Sequence, residues 1–207
     1  MIKDRRLAGV AGIVFAVATF VAFVLANPPG GKFHENDVAD FVAKDHRSAV
    51  IVSLYLMVLA AVSLVGLGSY LRADGFGGAG AGRLFTGLLV AAATSWLAGW
   101  VIVVTPAAAR VFGGAPEIDA GVAYTFMQAG FSVMLVAGGM LLGAALLTLA
   151  IAGVEPGWVR VLAAIAGVAG LATPAFFPFF LLLLFAVVVG IWLLVSRGPA
   201  AAEAVTA

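Results

Sequence analysis

"WVRVLAAIAGVAGLATPAFFPFFLLLLFAVVVGIWLLV", residues 158–195, decides how this chain is arranged. It is 38 residues long, more than one membrane-crossing helix can use. In its middle stands TPAFFPFF, with Pro174 and Pro178 four residues apart. A proline lacks the N–H that a helix needs and collides with the preceding turn. The run therefore divides into two segments, about 158–173 and 178–196. The alternative, a single kinked helix followed by an interfacial piece, would change the parity of the chain and so the side of the membrane on which it ends.

Working outward, four more apolar runs are separated by turn signals. The first, Leu7–Ala26, is stopped by NPPGG. The second, about 49–71, is stopped by the glycine-rich RADGFGGAGAGR. The third, about 84–105, stops before Pro106. The fourth, within 121–151, is about 31 residues, or ~46 Å of helix, longer than a ~30 Å hydrocarbon layer requires. It must tilt, protrude or bend, and Gly138–Gly139 is the favoured bend point. The expected fold is all-α: one integral membrane domain over 1–207, a polytopic bundle of six spans. The first run resembles a signal peptide in its order of basic, apolar and small residues. The run's length of about 20 residues exceeds the roughly 7–15 of a signal core and predicts a retained span.

Composition agrees. Hydrophobic residues make up 64% of the chain and charged ones 10%, against about 25% charged in soluble domains. The net charge of +1 and the lack of any basic cluster beyond Lys3, Arg5 and Arg6 speak against nucleic acid as a partner. The absence of cysteine excludes disulfides, thiolate metal sites and cysteine catalysis. Abundant Ala, Val, Gly and Leu, with Arg outnumbering Lys, suggest a GC-rich bacterial source.

Six spans put both termini on one side. With that side inside, it holds Lys3, Arg5, Arg6, Arg72, Arg83, Arg160 and Arg197. The outer side holds Lys32, Lys44, Arg47 and Arg110, offset by acidic residues. Cytoplasmic loops carry the excess of Lys and Arg. The expectation is a bacterial plasma-membrane protein with both termini cytoplasmic.

The stretch FHENDVADFVAKDHR, residues 33–47, contains both histidines and falls in the first external loop. With Asn36 or Asp37 as N-cap, Val38, Phe41 and Val42 fall on one helical face. This predicts a short amphipathic lid helix resting on the bundle or the headgroups. Asp37 and Asp40 in its first turn and Lys44, His46 and Arg47 in its last complement the helix dipole. The competing reading is a metal site of His34, Glu35, Asp37 and His46. In one helix the histidines would be roughly 18 Å apart, so they could converge only by a fold-back or across subunits.

Arg160 is read at the inner end of the fifth span, and between the span ends there is no Asp, Glu, Lys, Arg or His. A proton relay or a retinal Schiff base needs such a group. The milder polar residues, among them Ser53, Ser63, Thr125 and Ser132, suit bonds across helices or back to carbonyls. A sharper reading gathers Ser95 and Gln128 as the polar lining, and Trp96, Trp100 and Phe131 as the walls, of a small outer-half pocket. Small residues at four-residue spacing, such as Ala8, Gly12 and Ala16, Ser95 and Gly99, Gly139 and Gly143, and Ala163 and Gly167, let helices approach closely. They suit a tight bundle, contacts with other membrane subunits, or self-association.

RRLAGVAGIVFAVATF, VADFVAKDHRSAVIVSLYLMVLAAVSL, GRLFTGLLVAAA and PGWVRVLAAIAGVAGL together resemble the six-helix integral membrane proteins of actinobacteria classed as domains of unknown function. The resemblance covers roughly residues 5–195. It implies a six-span helical bundle in the plasma membrane and brings no catalytic residues.

No Walker loop or H-E-x-x-H is present. The G-x-G-x-x-G match at Gly75, Gly77 and Gly80 lacks the strand that a dinucleotide site needs and reads as a turn. No cofactor is expected. The leading expectation is a non-enzymatic membrane protein, either an accessory subunit of a membrane complex or a binder of a hydrophobic or lipid-like molecule, in contact with membrane lipids. The alternatives are a passive transporter or channel for a small neutral or apolar solute, and an outer-interface enzyme using the His34–His46 loop.

Overall fold

The computed structural model describes residues 4–29, 34–43, 47–76, 79–113, 118–154, 156–175 and 178–196, and among these there is no strand. Helices α1 (Arg5–Ala26), α2 (Glu35–Ala43), α3 (Arg47–Gly75) and α4 (Ala79–Gly113) come first. Then α5 (Ala120–Phe131) runs through a π-helical turn, Ser132–Gly138, into α6 (Gly139–Ala152). Helix α7 (Gly157–Leu171), a short 3₁₀ turn at Thr173–Ala175 and α8 (Phe179–Val195) complete the order.

Local chemistry explains the ends. The Asp4 carboxylate accepts from the Arg6 and Leu7 amides at 2.8 and 3.3 Å and caps α1. Asn27 closes that helix at φ 44, followed by two prolines. The Asp119 carboxylate accepts from Val122 N at 3.0 Å and starts α5. Gly153, at φ 84, ends α6 in the left-handed region open to glycine.

Four stretches among the described residues are long and apolar enough to cross a membrane: Arg5–Ala26, Ser48–Ala73, Gly80–Ala109 and Ala120–Ala152. Gly157–Leu171 and Phe179–Val195 are apolar but shorter. They are two separate helices rather than one kinked rod, and Trp158 near the start of α7 meets Trp192 near the end of α8, at 5.4 Å between ring centroids.

Two expectations need correction. Helix α4 continues through Pro106 to Gly113 instead of stopping before the proline. Apolar helices tolerate an internal proline where the surrounding packing supports the turn, and Pro106 is buried. The glycine-rich turn is much shorter than its composition suggested. Arg72 lies in the last turn of α3, and Gly80–Arg83 are already helical. In the fourth apolar run the irregular part is a π turn over Ser132–Gly138, which begins well before the Gly138–Gly139 pair and runs up to it.

The long helices form a ring. Helix α1 packs between α3 and α8, α3 adjoins α4, α4 adjoins the α5–α6 rod, that rod packs on α7, and α7 reaches α8. Neighbours run antiparallel. Gly12 meets Leu67 of α3 and Ala186 of α8, while Gly99 of α4 meets Gly130 and Met134. Gly143 of α6 meets Gly167 and Gly170 of α7. A Cβ on Gly12 would stand 2.7 Å from the Ala186 carbonyl oxygen, and one on Gly143 2.6 Å from that of Gly167. These small-residue faces are thus occupied inside the chain, and a second copy or subunit would have to dock elsewhere.

The up-and-down path sorts charge between the two ends. Arg5, Arg6, Arg72, Arg83 and Arg160 share one end with Asp4. Glu35, Asp37, Asp40 and Asp119 sit at the other. At the basic end the Arg5 guanidinium lies 4.6 Å over the Trp192 ring and donates to Ser196 Oγ, joining α1 to the end of α8.

Candidate functional site

Two places stand out: the aromatic layer in the ring's centre and the α2 lid on the acidic end.

The layer is assembled from three helices. Trp96 and Trp100, one turn apart on α4, are both fully buried. Trp96 stacks on Phe179 of α8 at 5.1 Å and meets Phe15 of α1 at 6.1 Å. Trp100 meets Phe23 at 4.7 Å, and Phe23 meets Phe179 at 5.8 Å. The Trp100 indole N–H donates to Ser53 Oγ at 3.3 Å, and that hydroxyl donates to Val50 O at 2.9 Å. Such rings contribute both buried area and edge or stacking contacts of about 0.5–1.5 kcal/mol a pair.

The expected pocket of Ser95, Trp96, Trp100, Gln128 and Phe131 is not one site. Trp96 and Trp100 are core, Ser95 and Phe131 are partly exposed, and Gln128 is exposed on the outside of α5. Its amide nitrogen donates to the Tyr124 hydroxyl, one turn away, at 3.1 Å. On α5, Ala123, Met127 and Gly130 take the inward face, and the helical spacing turns Gln128 away from it. The milder polar residues mostly bond to their own helix. Thr125 donates to Gly121 O and Ser132 to Gln128 O, both at 2.8 Å.

Below the aromatic layer, toward the basic end, lies an apolar cavity of about 20 Å³ lined by Phe15, Leu67, Phe85, Leu89, Leu142 and Leu182, among others. That holds about one water-sized body, and an apolar cavity of this kind stays dry.

The lid forms with the expected buried face but starts and ends earlier: it closes at Ala43, and Arg47, expected in its last turn, opens α3 instead, while Lys44 and His46 lie outside the described residues. His34 O accepts from the Asp37 and Val38 amides, so His34 occupies the N-cap position. Asp37 stands at the third helical position, and its carboxylate accepts from His34 N at 2.7 Å, one half of a capping box. Val38, Phe41 and Val42 are buried, and the helix lies on α5 and α4. Beside it an open groove is lined by His34, Glu35, Asn36 and Tyr124.

The metal reading of His34, Glu35, Asp37 and His46 is corrected in part. Among the described residues no three His, Asp or Glu gather as a ligand set, and Asp37 is engaged with the His34 amide. His46 lies outside the described residues.

Sequence reading passed over two residues. Thr19 is the lone hydroxyl of α1 and is fully buried between Phe15 and Phe23. Its position, four residues from each phenylalanine, was the available signal. Thr173, fully buried where α7 ends, reaches the π turn, and nothing in its neighbourhood announces that contact.

Compared with known protein families, curated proteins and solved structures, the chain matches none.

Proposed function

We propose that the chain is a six-span protein of a bacterial plasma membrane, as its resemblance to actinobacterial six-helix proteins implies, and that it serves without enzymatic activity as an accessory subunit of a membrane complex. The observation that carries this reading is the use of the interior. The centre of the ring is filled by Phe15, Trp96, Trp100 and Phe179, and the half below it is lined by leucine and phenylalanine. A channel for a polar solute requires a path through that half. A filled interior leaves recognition to the outer surfaces.

Orientation follows from charge. Among the described side chains, five arginines and Asp4 at one end against four carboxylates at the other favour the basic end, with both termini, in the cytoplasm. The α2 lid then faces outward. Helices α7 and α8, of 15 and 17 residues, measure ~22 and ~26 Å, so they would cross with little tilt and some local thinning of a ~30 Å bilayer.

A second reading, a binder of a hydrophobic or lipid-like molecule, has the apolar cavity in its favour. It would require the Leu89 side chain, which fills the notch beside Gly68, to swing away.

Native mass spectrometry of the protein extracted with its lipids separates the two. A subunit retains a second polypeptide in fixed ratio on the 21.0 kDa chain. A binder retains an adduct of a few hundred daltons. A bare chain under conditions that preserve other membrane complexes contradicts both.

A further inference from the structure

Two polar atoms in the core have no hydrogen-bond partner among the described residues: the Thr19 hydroxyl and the Trp96 indole nitrogen. Both side chains are fully buried. They belong to one layer. Phe15 faces Trp96 and Phe23 faces Trp100. Thr19 stands one turn from each phenylalanine and therefore lies between those two rungs. Phe179 spans the same interval, touching both Trp96 and Phe23.

Neighbouring polar groups show what is unusual here. Ser69, Thr86, Thr125 and Thr148 each donate to the carbonyl four residues back. Buried Ser53 and Thr173 also reach carbonyls, and Trp100 has Ser53. Thr19 does not use the carbonyl of Phe15, although the same local bond is open to it. An indole N–H can only donate, whereas a threonine hydroxyl both donates and accepts. Leaving two such groups unmade away from water is costly. A single oxygen atom within reach of both would satisfy both.

We infer that the Thr19–Trp96 layer is a binding site for one neutral oxygen, that of a water molecule, which accepts from Trp96 Nε1 and shares a hydrogen bond with Thr19 Oγ1. The species is neutral because the buried polar side chains of the described core are Thr19, Ser53, Ser63 and Thr173, none of them charged. It is small because aromatic rings occupy the rest of the layer. The hydroxyl of an uncharged amphiphile offers the same chemistry, and the test separates the two sources. With water as the source the site is independent of the subunit and binder readings, whereas an amphiphile there would be the molecule of the binder reading.

The test is ¹H–¹⁵N spectroscopy of the indole groups of the full chain in lipid nanodiscs, with Trp96→Phe to assign the Trp96 signal. The expected result is a downfield, hydrogen-bonded Trp96 N–H with cross-relaxation to water. The shift is lost in the isosteric Thr19→Val and kept in Thr19→Ser. Cross-relaxation to non-exchangeable protons of a co-purified molecule supports the same site with an amphiphile as the source. An upfield, unbonded N–H that ignores Thr19→Val and shows no such cross-relaxation overturns the inference. Since Thr19→Val keeps the side-chain shape, its folded signals report on the site rather than on collapse of the bundle.

Discussion

The Thr173 hydroxyl lies 2.5 Å from the carbonyl oxygen of Leu135, and this contact fastens the end of α7 to the π turn between α5 and α6. The widened turn makes it meaningful. Gly139 N–H reaches back five residues to Met134 O, passing the Leu135 carbonyl that it would bond in an α-helix. Thr173 donates to that passed-over carbonyl. Gly170 O, at 2.8 Å, is the alternative acceptor for its single proton.

Thr173→Val should therefore destabilise the bundle by about 1–2 kcal/mol, in the range for a buried hydrogen bond between helices, while Thr173→Ser should recover most of the loss. Reversible unfolding in mixed micelles measures both. Equal stability of the valine and threonine forms would remove the hydroxyl from the account of the π turn.

The small-residue seams give a contrasting pair. A Cβ at Gly170 would come 2.5 Å from Gly143 Cα, so Gly170→Ala must push α6 and α7 apart. A cost of roughly 1–3 kcal/mol is expected. Gly87 is exposed on α4 with nothing within 4 Å of its would-be Cβ. Gly87→Ala should be neutral or stabilising by up to about 1 kcal/mol, because alanine is the better helix former. Thermal melts in one detergent suffice, and the reverse ranking would contradict the packing.

Ser53→Ala strands the Trp100 indole N–H in the core. The expected loss is about 1–3 kcal/mol, the cost of a buried donor left unmade. Trp100 fluorescence should also shift, read against a Trp100→Phe control. An unchanged melt together with an unchanged emission would mean that the Ser53–Trp100 bond does not form.

The lid rests on three side chains and one cap. Phe41→Ala should speed amide exchange across Glu35–Ala43 by at least tenfold, with exchange in α1 and α4 unaltered, since a small helix held by one apolar face opens locally. Asp37→Ala should do the same more weakly, because it removes the carboxylate that accepts from the His34 amide and steadies only the first turn. If exchange in α4 rises equally, the lid belongs to the core and is not a separate cover.

Much of this was legible in the sequence, for physical reasons. Runs of about 20 apolar residues, NPP after Ala26 and the Pro174–Pro178 pair located the helices, because chain length against bilayer thickness and missing proline N–H groups are local facts. The spacing of Val38, Phe41 and Val42 gave the buried face of the lid. What failed depended on neighbours. Pro106 ended no helix, because its turn is supported by packing that a linear reading does not contain. Gln128 and Trp96 looked alike as pocket candidates, yet the direction each helix face takes is set by the ring, and it sends one outward and the other into the core. The Thr173–Leu135 contact joins residues 38 apart in the chain, and no periodicity foretells it.

The central claim is a six-span bundle with its basic end in the cytoplasm, and single-cysteine labelling tests it most directly, since the chain has no cysteine of its own. Four exposed positions serve: Arg6 and Arg160 at the basic end, and Asp40 and Ala175 at the acidic end. With a membrane-impermeant thiol reagent on intact cells, Asp40→Cys and Ala175→Cys should label at once. Arg6→Cys and Arg160→Cys should label only after the membrane is opened. Ala175→Cys and Arg160→Cys labelling from the same side would contradict the account, leaving α7 and α8 outside the set of membrane-crossing helices.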